Sequence, residues 1–328
     1  MSKTFSGSIT WSSPILLHDD CLGQTIRGVV DSAAFSLAFP TPSASRTGVL
    51  PVLAAPPFHE PDWLLNDDYS ERLWGWSIGD GMNFVVGGAM HIELASTEGD
   101  GAAYLRSTLR DQFGAWLEDV SAYVELWSGQ VVSAAYAART GRSDLQLFDH
   151  DDDTAPTVPA DTGLVGIADG HGELRSVRLF EWESAATLVN ERNPITLPWR
   201  LYHRAWRFGG RDPRAAVIDA CTAVEVALST RLTEGLYEPD DPAREEYIKR
   251  LNGLLGLVEE AYAKYPRPPK PRPDVAVDLG VVRNRAAHGG AVPTPDERDR
   301  ALAAARWVLD NFLPLARATA SDSGRLDE

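Results

Sequence analysis

Two rhythms of apolar and polar positions divide this chain. Up to about residue 100 the apolar residues alternate or gather in short runs. Residues 23–30, 33–39, 73–78 and 82–94 are rich in β-branched and aromatic side chains, with Gly, Pro and Asp between them, the pattern of strands joined by turns. Met90, His91, Ile92, Glu93 and Leu94 alternate strictly, which predicts a strand with one wet face. A three- and four-residue spacing follows through Leu105, Leu109, Phe113, Trp116, Val120, Val124 and Trp127. It predicts a long helix, stopped by Ser128 and Gly129. Strand-like runs return at residues 131–137, 145–148, 164–168 and 173–181. Residues 1–195 therefore read as one α+β domain, mostly antiparallel sheet with a long helix packed against it.

A joint marked by Pro194 and Pro198 comes next, and after it the strand pattern stops. Residues 196–328 read as all-helical. Asp212 followed by Pro213 is an N-cap with Pro at the first helical position. It opens a helix to about residue 234 whose apolar stripe is Val217, Cys221, Val224, Leu228 and Leu232. A second helix is predicted over about 244–265. Residues 266–273, Pro-Arg-Pro-Pro-Lys-Pro-Arg-Pro, cannot be helical and predict an extended polyproline loop. A third helix spans about 274–288 and ends at Gly289 and Gly290. The last starts with a capping box at Thr294 and Glu297 and runs to about 318. Both Trp-rich segments, residues 73–78 and 199–208, read as core.

Charge sharpens this division. The net charge is -16. Residues 1–198 hold 11 of the 31 Lys and Arg and 27 of the 47 Asp and Glu, which accounts for all of it, whereas residues 199–328 hold 20 of each. An acidic half repels phosphate backbones, so a nucleic acid is expected on the second half. Of the 31 basic residues 27 are Arg in an Ala-rich chain, so the abundance of Arg is itself no argument. No apolar run approaches the ~18 residues of a membrane span, and residues 1–14 lack the pattern of a signal peptide. Cys21 and Cys221 have no metal-type spacing. They fit reduced structural thiols, and the expected location is the cytoplasm.

The third helix ends Val282, Arg283, Asn284, Arg285, Ala286, Ala287, His288, Gly289, Gly290. Asn284 and His288, four apart, stand nearly one above the other, and Arg283 lies about 140° round the helix from His288. Cleavage of RNA needs a base for the 2′-hydroxyl proton, an acid for the leaving oxygen and a cation at the phosphorane. Histidine serves the first two near pH 7 and arginine the third. The helix dipole at this end favours imidazolium. The same residues admit a plainer use, with Asn284 and His288 capping the helix and Arg283 paired with a carboxylate such as Glu225. Glu225 interrupts an apolar stripe, and either orients Arg283 or is a solvated flank. Lys264, Arg267, Lys270 and Arg272, in or beside the proline loop, either hold an RNA backbone, as Arg285 also could, or keep that loop soluble.

On these residues the chain resembles the HEPN superfamily, whose signature is Arg, usually a polar residue, and then His after four to six intervening positions. Arg283 and His288 enclose four. A helix carrying residues 223–228, Ala-Val-Glu-Val-Ala-Leu, a second helix, the motif helix and a closing Ala-rich helix follow in the same order, so the resemblance covers residues 197–320. It implies an all-α HEPN-like bundle and a homodimeric, metal-independent endoribonuclease that needs no cofactor. Arg283, Asn284 and His288 would be catalytic, Glu225 supporting, and Lys270, Arg272 and Arg285 the contacts to RNA. A large non-helical region before such a domain is similar to bacterial abortive-infection proteins, including the Apea-like group. That implies a toxin or anti-phage effector whose first domain binds a trigger or protein ligand. Some HEPN proteins keep the fold without activity, so a dimerisation or binding module is the alternative.

Other motifs carry less. Gly75, Trp76, Ser77, Ile78 and Gly79 satisfy the serine-hydrolase elbow G-x-S-x-G, which must lead from a strand into a helix. The following Asp80 and Gly81 predict a hairpin instead. None of the four lysines follows Gly, so there is no phosphate-binding P-loop, and the seven histidines lack H-E-x-x-H spacing. The acidic run at residues 149–153 lacks the Gly-punctuated spacing of an EF-hand.

Overall fold

The computed structural model describes residues 3–30, 33–47, 50–54, 74–79, 81–94, 110–132, 136–137, 142–143, 146–149, 175–238, 240–265 and 273–316. The chain divides into two compact units, one up to Pro194 and one from Ile195 to Ala316. The runs predicted over 164–168 and 149–153 lie, apart from Asp149, outside the described residues.

The first unit is built on antiparallel pairing. Its strands are β1 (Lys3–His18), β2 (Thr25–Val30), β3 (Ala33–Ala38), β4 (Thr41–Thr47), β5 (Leu50–Ala54), β6 (Gly75–Gly79), β7 (Met82–Leu94), β8 (Tyr136–Ala137), β9 (Arg142–Ser143) and β10 (Gln146–Asp149). The main sheet runs β10-β1-β7-β6-β5-β4. β1 lies along β7 from Lys3 opposite Leu94 to His18 opposite Met82. The other edge of β7 is shared, by β6 near Val85 and by β3 from Ala89 to Glu93. Among the described strands β2 pairs only with β3, and the side-chain amide of Asn190 closes part of its other edge by accepting from Val29 N at 3.1 Å and donating to Arg27 O at 3.2 Å. Such capping removes a template for edge-to-edge pairing.

Two helices cover this sheet, α1 (Arg110–Ser128) and α2 (Leu179–Asn190). Phe113 and Trp116 of α1 meet Phe35 edge-on at 5.0 and 4.7 Å, and Trp182 of α2 lies 5.3 Å from Phe39. α2 corrects the strand predicted over 173–181, of which Val177 keeps one bridge to Leu17. A local cap and one long-range contact explain the switch. Glu181 accepts from Arg178 N at 3.0 Å and pairs with Arg175, and Asp20 accepts from Leu179 N at 3.1 Å. The Arg178 and Leu179 N–H groups are donors that the helix's own ladder leaves open, and these acceptors satisfy them. Residues 131 and 132 are also irregular, and among the described residues of that run only Tyr136–Ala137 is strand.

The second unit is helical. Its helices are α3 (Leu197–Phe208), α4 (Pro213–Thr233), α5 (Pro242–Arg250), α6 (Leu254–Lys264), α7 (Val282–Gly289, entered through a π-helical segment, Ala276–Val281) and α8 (Pro295–Phe312). α4 is central, and α3, α6, α7 and α8 all pack on it. Its buried side chains alternate small and large, from Ala216 and Val217 to Leu228 and Leu232, which lets neighbouring backbones approach closely. One helix is added here and two predictions are corrected. α3 is a helix that the sequence reading left unassigned. The helix expected over 244–265 is broken into α5 and α6, because Asn252 and Gly253 take φ of 54° and 87°. α8 stops at Phe312 rather than near 318.

Candidate functional site

The π-helical segment sets the face that the motif helix presents. Val275, Leu279, Val282 and Ala286 turn into the core, while Val277, Val281, Asn284, Arg285 and His288 face outward. Val277 and Val281 are 55% and 49% exposed, so an apolar strip adjoins the polar motif. Gly290, with φ 65°, ends the helix and returns its N–H to Arg285 O, the left-handed stop that the two glycines predict.

Arg283 is half-buried and donates through Nη1 to Asn284 Oδ1 at 3.0 Å. Its Nε is buried without an acceptor. Such a donor costs on the order of 1–3 kcal/mol when left unmade, so the guanidinium is held short of full satisfaction. Across the α4–α7 packing lies Cys221, whose thiol bonds to Glu225 one turn along α4. Burial and the Glu225 carboxylate push the Cys221 thiol up to about 12, with Arg283 acting in the opposite sense. Arg283, Cys221 and Glu225 thus share one neighbourhood, yet among the described residues Arg283 makes no ion pair with Glu225 or any other carboxylate. His288 is exposed, and no described group hydrogen-bonds its imidazole. It does not cap the helix end.

The cations suggested for RNA separate from this group. Arg285 is spent on α8: it forks onto Glu297 at 2.8 and 3.3 Å, while Glu297 also accepts from Thr294 N at 3.0 Å. The Arg285 guanidinium first, and the Thr294 N–H second, hold the Glu297 carboxyl down to about 2. Lys264 donates to Leu232 O at 2.9 Å and so caps α4. Lys270, Arg272 and Arg267 lie outside the described residues. Sequence reasoning missed Cys221 as a neighbour of Arg283, although its i, i+4 spacing to Glu225 was visible, and missed Glu297 as the partner of Arg285.

Ser77 sits on β6, which turns at Gly81 straight into β7; the strand-to-helix geometry of a hydrolase elbow is not formed there. Among the described residues no three His, Cys, Asp or Glu side chains cluster to hold a metal ion, and no helix is long and apolar enough to cross a membrane. What the motif offers chemically is a cation fixed to an amide, with an unengaged imidazole one turn beyond. No family model matches the chain, and no curated protein and no solved structure matches it at a significant score.

Proposed function

We propose that this protein is a HEPN-type, metal-independent endoribonuclease whose second unit cuts RNA as a homodimer, acting as a toxin or anti-phage effector. The carrying observation is the Arg283–Asn284 bond with His288 exposed and unengaged one turn on, at the end of a helix whose other face is packed. A base takes the 2′-hydroxyl proton, the 2′-oxygen attacks phosphorus, and the 5′-oxygen leaves with a proton from an acid. The products are a 2′,3′-cyclic phosphate and a 5′-hydroxyl. One chain supplies one such histidine, and a second copy supplies the other role. The apolar strip of Val277 and Val281 beside the motif supports that pairing, and equally favours the second reading, a non-catalytic dimerisation module.

Incubating RNA with the protein in EDTA, beside His288→Ala, tests the proposal. Cleavage by the wild type alone, with cyclic phosphate ends, supports it. Light scattering that finds a dimer without cleavage favours the module, and a monomer at micromolar concentration removes both. The acidic first unit is assigned to a trigger or protein ligand rather than to RNA.

A further inference from the structure

Between Ile195 and Arg211 the chain carries four arginines, one histidine and no Asp or Glu. α3 sorts them by face. Helical residues turn about 100° each, so Arg200, Arg204 and Arg207 fall within roughly 60° of one another. Trp199, Tyr202, Ala205 and Trp206 occupy the opposite side and are buried. Arg211 follows in the turn, tied back through its N–H to Phe208 O at 2.9 Å. α5 is different: there Lys249 and Arg250 are matched by Glu245 and Glu246 on the same helix. What marks α3 is therefore that it carries no acidic residue of its own, rather than that arginine is abundant.

The heads of Arg200, Arg204 and Arg211 are exposed, and Arg207 is half-buried beside them. Arg204 forks onto Asp219 of α4 at 2.6 Å on both arms, yet its side chain stays 59% exposed, so it is fixed and open at once. Arg200 and Arg211 are exposed and have no partner among the described residues. Phe208 is 45% exposed, with the Arg207 guanidinium over its ring at 5.7 Å. A line of cations roughly 10 Å long beside an open aromatic ring suits a phosphate backbone with an unstacked base. It suits a membrane poorly, because the apolar face of α3 is already packed.

We propose that the α3 arginine stripe is a second binding surface that anchors the backbone of single-stranded RNA; naming RNA as its ligand rests on the nuclease reading above. Asp219, which faces the stripe, lies about 200° and 240° round α4 from Cys221 and Glu225, which face Arg283. Anchor and motif thus flank opposite sides of α4, and only a strand of several nucleotides reaches both.

The test measures binding apart from cleavage, in the full chain carrying His288→Ala, with a labelled single-stranded RNA of about 20 nucleotides followed by anisotropy at roughly 50 to 200 mM salt. Arg204 is kept, because Asp219 would lose its partner. Adding R200Q, R207Q and R211Q should weaken binding about tenfold or more and flatten the log–log salt slope by about 2, which is about 0.7 for each of three lost charges. Unchanged affinity and slope overturn the proposal, as does a parent protein that binds no RNA. Loss of binding to phosphatidylserine vesicles in place of RNA overturns it too. The two readings fail separately: a stripe that binds RNA in a protein that never cuts it sinks only the nuclease, and cleavage with unaltered binding in the triple variant sinks only the anchor.

Discussion

Replacing His288 with Ala should separate chemistry from architecture. The imidazole is exposed and bonded to nothing described, and Gly290 closes the helix through its own backbone. Removal therefore belongs with surface changes worth within about 0.5 kcal/mol, a shift of less than about 3 °C in Tm for a unit of this size. Loss of a general acid or base costs about 10²–10⁴ in rate. The rate should thus fall by orders of magnitude in a protein that melts where the wild type does. Arg283→Ala tests the cation on the same terms. It gives up one 3.0 Å bond to Asn284, about 1 kcal/mol, and relieves the buried Nε, so its melting should also move little while phosphorane stabilisation is lost. Arg283→Lys should rescue poorly, since it keeps the charge and loses the planar fork. The assay pairs single-turnover cleavage of a labelled RNA with calorimetric melting of each variant. Full activity in His288→Ala ends the catalytic assignment; activity that falls only in step with Tm shows that the residue is structural.

Glu297→Gln should reveal an acid-linked strap between α7 and α8. The Arg285 guanidinium first, and the Thr294 N–H second, hold the folded carboxyl down to about 2, below the ordinary glutamate value of about 4.3, so its contribution is complete above that value and is lost as pH falls toward 2; melts of wild type and variant should converge over that window, and a constant gap contradicts the pairing. Gly256→Ala should destabilise, because a Cβ there would stand 1.5 Å from Leu251 O, and an unchanged denaturation midpoint would show that α5 and α6 join differently. Trp182→Ala should cost about 3–5 kcal/mol in urea denaturation. Trp182→Phe should cost less, since it keeps one aromatic ring and the indole N–H has no acceptor to lose; equal losses would mean that the N–H is bonded in solution. In native protein both thiols should resist a disulfide reagent, as burial raises each, and rapid modification of Cys221 would place it outside the core.

The elements legible in the sequence are those whose signals lie within a few residues. Asp212 accepts from Ala215 N at 2.9 Å to start α4, and Thr294 with Glu297 forms the box that starts α8; each is a contact at a separation of three. α2 was hidden because Leu179 N–H in its first turn is met by Asp20, some 159 positions away, and because Arg178 at its N-cap is not a residue that signals a helix start. The break after α5 was hidden for another reason. An isolated Gly inside a helical pattern is commonly tolerated, and only the left-handed Asn252 beside Gly253 turns it into a stop.

The site divides along the same line. Relations inside one helix were readable: Arg283 meets Asn284, and His288 follows one turn later, as spacing alone requires. Relations between helices were not. Arg283 and Arg285 look equivalent in sequence, yet two positions of helix turn them about 200° apart. One therefore faces α4, Cys221 and Glu225, while the other crosses to Glu297 on α8. Arg285 answers a carboxylate that also fixes a helix start, so losing it should loosen α8 before it touches any ligand. Arg283 has an amide at one arm and nothing at Nε. A guanidinium left in that state, with an unengaged imidazole on the next turn, keeps its capacity to bind an anion. Of the two arginines in this motif, Arg283 is the one without a carboxylate partner among the described residues.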